Sequence, residues 1–481
     1  MSRCVLSLFL VLLPFSLLAA GHDLTPPPAA ANQLRPVVTG NGSGFTAAWY
    51  EQASSRYSVA SSVVNANGEP IDGGSATADQ KAILSMAIAH SPSGALVAWT
   101  AADGNLFAER LSPSGMPLGV TVVTSGNAYA SDIAVVWNGS RYFVIWLSGS
   151  QLLGAFVAPD GSSTAPRPFF SEAVPSGQGP PRLPVTPGVT WDGRQFIAVF
   201  GEVSNFCIVT CPAFPPDQFR VMRLSADGDA IDSSPAIITG SHLRAHIASN
   251  GTESLIALDG VRDVSTIVAH TESGLTLDAE TPVFGWGSEV ASDVVWDGAM
   301  FRVGWRYAGA VASWIGMAQV APSGRPVDYR FAPAGSLVPT YPLGSGGPSM
   351  AVNDAGVTAV AISEGASPSS LPRARLYLAS ELAPMPSPPP APRNVISYFS
   401  GVSARVDWQA DDQTAGFAID AWSAWDNTWY LFRVVPGDAR TTTIYTSPGG
   451  LFRIRALGPG GVSEGAITSI GSMPRRRADR H

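Results

Sequence analysis

Apolar residues along this chain gather in short runs separated by glycine-containing turns, and no segment keeps a helical period. The stretch Val135-Val-Trp-Asn-Gly-Ser-Arg-Tyr-Phe-Val-Ile-Trp146 sets the rule. Val135 to Trp137 ends one strand, Asn138-Gly139 supplies a turn that tolerates positive φ, and Tyr142 to Trp146 begins the next. The same hairpin returns from Val189 to Phe200 around Trp191-Asp192-Gly193. It returns again from Val294 to Trp305 around Trp296-Asp297-Gly298.

Each unit carries two turn marks. The first precedes an apolar strand that usually ends in an aromatic residue; it falls at Gly44, Gly94, Gly139, Gly193, Gly251, Gly298 and Gly356. The second falls at Gly68, Gly115, Gly161, Gly228, Gly274 and Gly324, and the seventh unit has no clear second mark. The period is about 50 residues with about four strand-like runs in each, the signature of propeller blades. The expected fold is therefore all-β, with a seven-bladed β-propeller over residues 34–380. Trp49, Trp99, Trp137, Trp146, Trp191, Phe200, Trp296 and Trp305 are expected to pack blade against blade. Ring closure is open: the seventh unit lacks an outer strand after Leu376-Tyr-Leu378, so either that blade is short or the N-terminal segment completes it. Unit four carries an insertion over roughly residues 203–218, and such loops on rigid scaffolds are where function tends to sit.

Residues 381–393 are Pro-rich and read as a stiff linker. Beyond it the rhythm changes to short strands at Val402–Trp408, Phe417–Trp422, Trp429–Val435, Thr441–Tyr445 and Leu451–Ala456, a small β-sandwich pattern over residues 394–472. The tail, 473–481, is basic and expected to fray.

Composition narrows the function. Hydrophobic residues make up 45% and charged residues 14%, enough for a core and too little charge for a disordered chain. The formal net charge is −8, which disfavours nucleic acid and anionic membrane surfaces as partners. Residues 1–21 read as a signal peptide: Arg3, an apolar run from Val5 to Leu18 interrupted by Pro14, then small residues before His22. The run is too short and broken for a membrane span, and no second one follows, so a secreted or periplasmic protein is expected. Residues 22–33 read as a flexible lead-in. Cys4 leaves with the signal, and Cys207 and Cys211, four apart in the insertion, are expected to pair as a local disulfide.

Candidate chemistry is sparse. No nucleophile elbow, phosphate loop or calcium loop is present, so no catalytic residue, metal ligand or cofactor is assigned. His242 and His246, four apart in a strand, sit ~13 Å apart, too far to share one metal; one is expected exposed and one packed. Asp132 and Asp293 each follow a serine and lead into an innermost strand, and Arg244 precedes the corresponding strand of unit five; these three are the candidate channel-mouth binding residues. The alternative for the aspartates is that they satisfy turn backbones. Asn41-Gly-Ser, Asn138-Gly-Ser and Asn250-Gly-Thr have the sequon pattern but coincide with the repeat turn and read as turn chemistry. In the C-terminal domain Trp422 and Trp425 are the candidate aromatic platform. Alternation places Trp422 on the face opposite Phe417 and Ile419, where it either stacks on a ligand or packs onto the propeller.

The propeller repeats resemble bacterial exported repeats built on a Trp-Asp/Asn-Gly turn; the signatures of WD40, kelch and sialidase Asp-box blades are absent. The C-terminal region resembles a fibronectin type III domain over about 80 residues, through its Pro-rich entrance, Val406-Asp-Trp408, Phe417-Ala-Ile419 and Phe452-Arg-Ile-Arg-Ala456. Where that family has a tyrosine, this chain has Phe452, which keeps the packing and loses the hydroxyl. These readings lead to a non-catalytic exported binding protein for a protein or carbohydrate ligand, with oligomeric state open. The alternative is a secreted glycosidase or lyase carrying an accessory sandwich.

Overall fold

The computed structural model describes residues 21–24, 31–53, 56–72, 77–126, 133–149, 151–171, 183–203, 218–240, 242–260, 263–285, 290–308, 313–334, 336–337, 347–365, 371–400, 403–410, 414, 416–423, 428–445, 449–458 and 461–469. Among them, seven antiparallel sheets follow one another between residues 22 and 384. Their innermost strands are Asn32–Asn41, Ile83–Ser91, Ala134–Trp137, Leu183–Trp191, His242–Ser249, Val290–Trp296 and Ser349–Val352. Each pairs with the strand that follows it, and each sheet then runs outward in chain order. This is a β-propeller.

The hairpins form where the sequence asks for them. Asn138, Asp192, Asn250 and Asp297 each turn a side-chain oxygen back onto the turn: Oδ1 accepts from the backbone N–H groups two and three residues on. An Asx turn of this kind needs a short side-chain acceptor followed by a residue free to take positive φ, which Asn-Gly and Asp-Gly supply. The preceding tryptophans do not all pack alike. Trp49, Trp99, Trp146 and Trp305 are fully buried between sheets, as is Phe200. Trp137, Trp191 and Trp296 are half-buried and lie over the aromatic of the next strand, Tyr142, Phe196 and Phe301, at 4.7–4.8 Å between centroids.

Each sheet has apolar residues on both faces and must bury them against neighbours. Seven inter-sheet cores do so, one for each neighbouring pair, and the last joins the seventh sheet to the first through Ala359, Ala361 and Leu376 against Phe45, Ala47 and Trp49. The N-terminal segment closes this ring. His22–Asp23 pairs with Arg373–Leu378 as the outermost strand of the seventh sheet. Leu24 is fully buried in the closing core, and Asp23 pairs with Arg375 at 3.1 Å. Part of the segment expected as a flexible lead-in is thus a strand, because its one large apolar side chain has a core to enter. A close approach between neighbouring sheets recurs at this seam. Gly115, at φ 80°, sits where a Cβ would come within 2.8 Å of Val63 on the preceding sheet; Gly68, at φ 82°, stands in the same relation to His22, at 2.5 Å.

The Pro-rich segment is tied at both ends. Ala383–Pro384 adds a strand to the sixth sheet beside Arg330 and Phe331, and Leu382 is buried. Beyond it, a three-stranded sheet (Arg393–Ser400, Ser403–Gln409, Thr441–Tyr445) faces a five-stranded one built on Gly416–Ser423, Thr428–Pro436 and Leu451–Gly458. Trp408, Phe417, Ile419, Phe452 and Ile454 fill the space between them. Ala418 and Leu457, on the outer face, join the core that holds Phe284 and Trp305 of the propeller. No helix among the described residues is long and apolar enough to cross a membrane.

Candidate functional site

All seven innermost strands, or the residues next to them, contribute to one central cavity of about 250 Å³. Its wall is mainly Val, Ile, Ala and Met, and its charged side chains are Arg35, Arg244, His246 and Asp293. Arg35 and Arg244 lie in the first halves of their inner strands, Asp293 at the middle of its strand and His246 just past the middle of its own. The second strand of sheet four ends at the side where its inner strand begins, since Leu183 pairs with Val203. The chain therefore leaves for the 203–218 insertion, and returns at Gln218, on that side.

Backbone amides of the inner strands are held by side chains of the sheet before. Ile133 N–H donates to Ser85 Oγ at 3.2 Å, Met350 N–H to Asp293 Oδ2 at 2.7 Å, and Val38 N–H to Ser349 Oγ at 3.0 Å. Ser292 donates both its N–H, at 2.9 Å, and its hydroxyl to Asp259 Oδ1. These bonds satisfy donors that strand pairing within a sheet leaves free at the channel edge.

Asp293 belongs to this stitching. Oδ1 accepts from Val294 N–H at 2.8 Å and Oδ2 from Met350, while His246 Nδ1 stands 3.6 Å from Oδ1. Burial pushes its carboxyl above the usual carboxylate range, against the pull of His246 and of the two backbone donors. Its side chain keeps 22% of its surface, open to the cavity. The expectation that it satisfies backbone is met in a different form: strand amides in two sheets rather than a turn.

Arg244 differs. It is 7% exposed, lies on the cavity wall, and has no hydrogen-bond or salt-bridge partner among the described residues. His246, two positions on and on the same side of the strand, leaves Nε2 buried without a hydrogen bond. The expectation of one packed and one exposed histidine is met for His242, which is buried near Glu280 at 3.4 Å, whereas His246 is half-buried on the cavity wall. No group of three metal-ligating side chains comes together among the described residues.

Arg35 is a cavity residue that sequence reasoning missed. It sits in the bulge of the first inner strand at φ 52°, a left-handed conformation costing roughly 1 kcal/mol outside glycine. Its guanidinium lies 5.7 Å from the Tyr50 ring centre and hydrogen-bonds that tyrosine. Leu34-Arg35-Pro36 gave no signal of it, since proline biases the residue before it toward extended backbone, whereas this φ belongs to the register shift between Leu34 and Val37.

Asp132, Trp425, Cys207 and Cys211 lie outside the described residues. Trp422 lies on the same outer sheet face as Ala418. It is half-buried, pairs across strands with Trp429 and meets its ring edge-to-face at 5.2 Å. Asp420, between Ala418 and Trp422 on that face, is buried and accepts from Arg453 Nε at 2.8 Å and Arg455 Nε at 2.7 Å. The alternating Phe452-Arg-Ile-Arg pattern was the readable sign of this cluster.

No family model matches the chain, and no curated protein matches it. Solved structures are similar at low identity. The Dos1 propeller covers 69% of this chain and 75% of its own at 10% identity, with a TM-score of 0.40. AofleA from Arthrobotrys oligospora covers 62% and 86% at 12% identity, with a TM-score of 0.40. The Aleuria aurantia lectin, a six-bladed propeller with a fucose recognition mode, covers 62% and 94% at 12% identity, with a TM-score of 0.36. The propeller assignment itself stands on the order of the sheets and on their inter-sheet cores.

Proposed function

We propose that this chain is an exported, non-catalytic binding protein: a seven-bladed propeller of the Trp-Asp/Asn-Gly repeat type carrying a fibronectin type III-like sandwich. Its ligand, a carbohydrate or a protein, is held at the channel mouth where the inner strands begin. The observation that carries this reading is Arg244, a buried cation on the wall of the central cavity with no counterion among the described residues. An unpaired buried charge is expensive, and a site that keeps one is shaped for something that arrives later. The strands that flank the 203–218 insertion, whose Cys207 and Cys211 we take as a disulfide, end on the same side. Asp293 supports binding over proton transfer, because both its oxygens already accept backbone amides.

The test incubates the mature protein, from His22, with insoluble polysaccharides, peptidoglycan and immobilised extracellular proteins, and analyses the soluble phase for products. Depletion from solution without released sugar supports the binding protein. Released saccharide overturns it in favour of the secreted glycosidase or lyase.

A further inference from the structure

Resting on that reading, we infer that the part of the ligand entering the central cavity is a single carboxylate with an apolar body, which a small organic monoacid reproduces, its carboxylate on Arg244 and its apolar part along the aliphatic wall. Three properties of the cavity carry this. The first is charge. The protein bears a formal net charge of −8, yet this cavity holds two guanidinium groups, Arg35 and Arg244, against one carboxyl, Asp293. Arg35 is engaged with Tyr50, which leaves Arg244 as the cation facing the space without a partner among the described residues. A guanidinium presents its donors in a planar fork that a carboxylate matches with two parallel bonds.

The second is the limit on charge. Asp293 shares the cavity, and its carboxyl is already raised by burial. A second negative charge nearby is opposed by that carboxyl, and a dianion such as phosphate brings more charge than one free guanidinium balances. A single carboxylate is the better match. The third is the wall. Ile88, Ile133, Val135, Val189, Ile247 and Met350 surround the remaining space, so the body of the ligand is apolar. His246 Nε2, buried and without a hydrogen bond, is a second polar point beside Arg244 for an oxygen or N–H on that body.

The experiment measures binding of hexanoate and benzoate to the mature full chain by titration calorimetry, each against its isosteric amide, hexanamide and benzamide, with inorganic phosphate as a further probe. The inference predicts that the acids bind and the amides bind about 10- to 100-fold more weakly. Arg244→Gln should abolish the difference between acid and amide, and Arg244→Lys should keep part of it. The comparison of acid with amide uses the unaltered protein, so it stands even where a variant folds poorly. Equal binding of acid and amide, or an unchanged preference in a folded Arg244→Gln, overturns the carboxylate assignment while leaving the cavity a binding site. Phosphate binding tighter than either acid overturns the single-charge assignment. Absence of binding by all five probes overturns the inference, and the polysaccharide and protein arms then judge the binding reading separately.

Discussion

The two ends of the central channel use polar residues in opposite ways. At the hairpin end the same device recurs: Asn138, Asp192, Asn250 and Asp297 each accept two backbone amides of their own turn. Along the inner strands four sheets reach to the next one with different side chains, Ser85, Asp259, Asp293 and Ser349. Arg244 meets no hydrogen-bond or ion-pair partner among the described residues. Repetition marks what every sheet needs in order to fold. On the fifth sheet Asp259, on the second strand, carries the stitching, and Arg244, on the inner strand, takes no part in it.

The largest expected effect comes from breaking the stitching. Asp259 is buried, and Ser292 donates to it twice. Asp259→Ala leaves both donors buried without an acceptor and should cost about 3 kcal/mol, read from the urea midpoint. A loss under about 1 kcal/mol would mean that water replaces the carboxylate there and that the stitching is not structural. A turn residue should cost less, because solvent reaches the freed amides. Asp297→Ala is expected to lose about 1–2 kcal/mol by the same measurement.

The two ends should also separate by pH. Burial raises the Asp297 carboxyl, but donation from Met300 and Ala299 and the Arg302 guanidinium together hold it below the usual range. A lowered carboxyl contributes stability above its unfolded pKa and loses it as pH falls through the folded one. Asp293 is raised, so its contribution is present below the unfolded pKa and lost as pH rises through the folded one. Relative to the parent, Asp297→Asn should therefore be most destabilised near neutrality and converge on acidification. Asp293→Asn should gain relative stability as pH rises across the carboxylate range. Parallel profiles for the two variants would erase the distinction between the ends.

This contrast also explains what the sequence could reveal. The hairpins, the period and the buried aromatics were legible because each is written several times, and a pattern needs repetition to be read. Ring closure was left open because His22-Asp23-Leu24 has no repeat to match; its strand exists through pairing with residues some 350 positions later. The Pro-rich segment read as a linker for the same reason, since Ala383–Pro384 becomes a strand only beside Arg330 and Phe331. At the site, Arg244 and Asp293 were picked out by position in the repeat, but the difference between them was not readable. One meets two backbone amides and the other none, and that depends on neighbours in other sheets. Trp422 was placed on the correct face, yet that face is also where Ala418 and Leu457 meet the propeller core. Asp420 and its two arginines went unread, because sequence does not show that a carboxylate in one strand lies beside two guanidiniums in another.

The most direct test of the account is the stability of Arg244→Gln in the absence of any ligand. If Arg244 is held for a ligand, removing an unpaired buried charge should leave the urea midpoint unchanged or raise it. A fall worth more than about 1 kcal/mol would show that Arg244 works for the fold, as its neighbours at that end do, and would contradict the account.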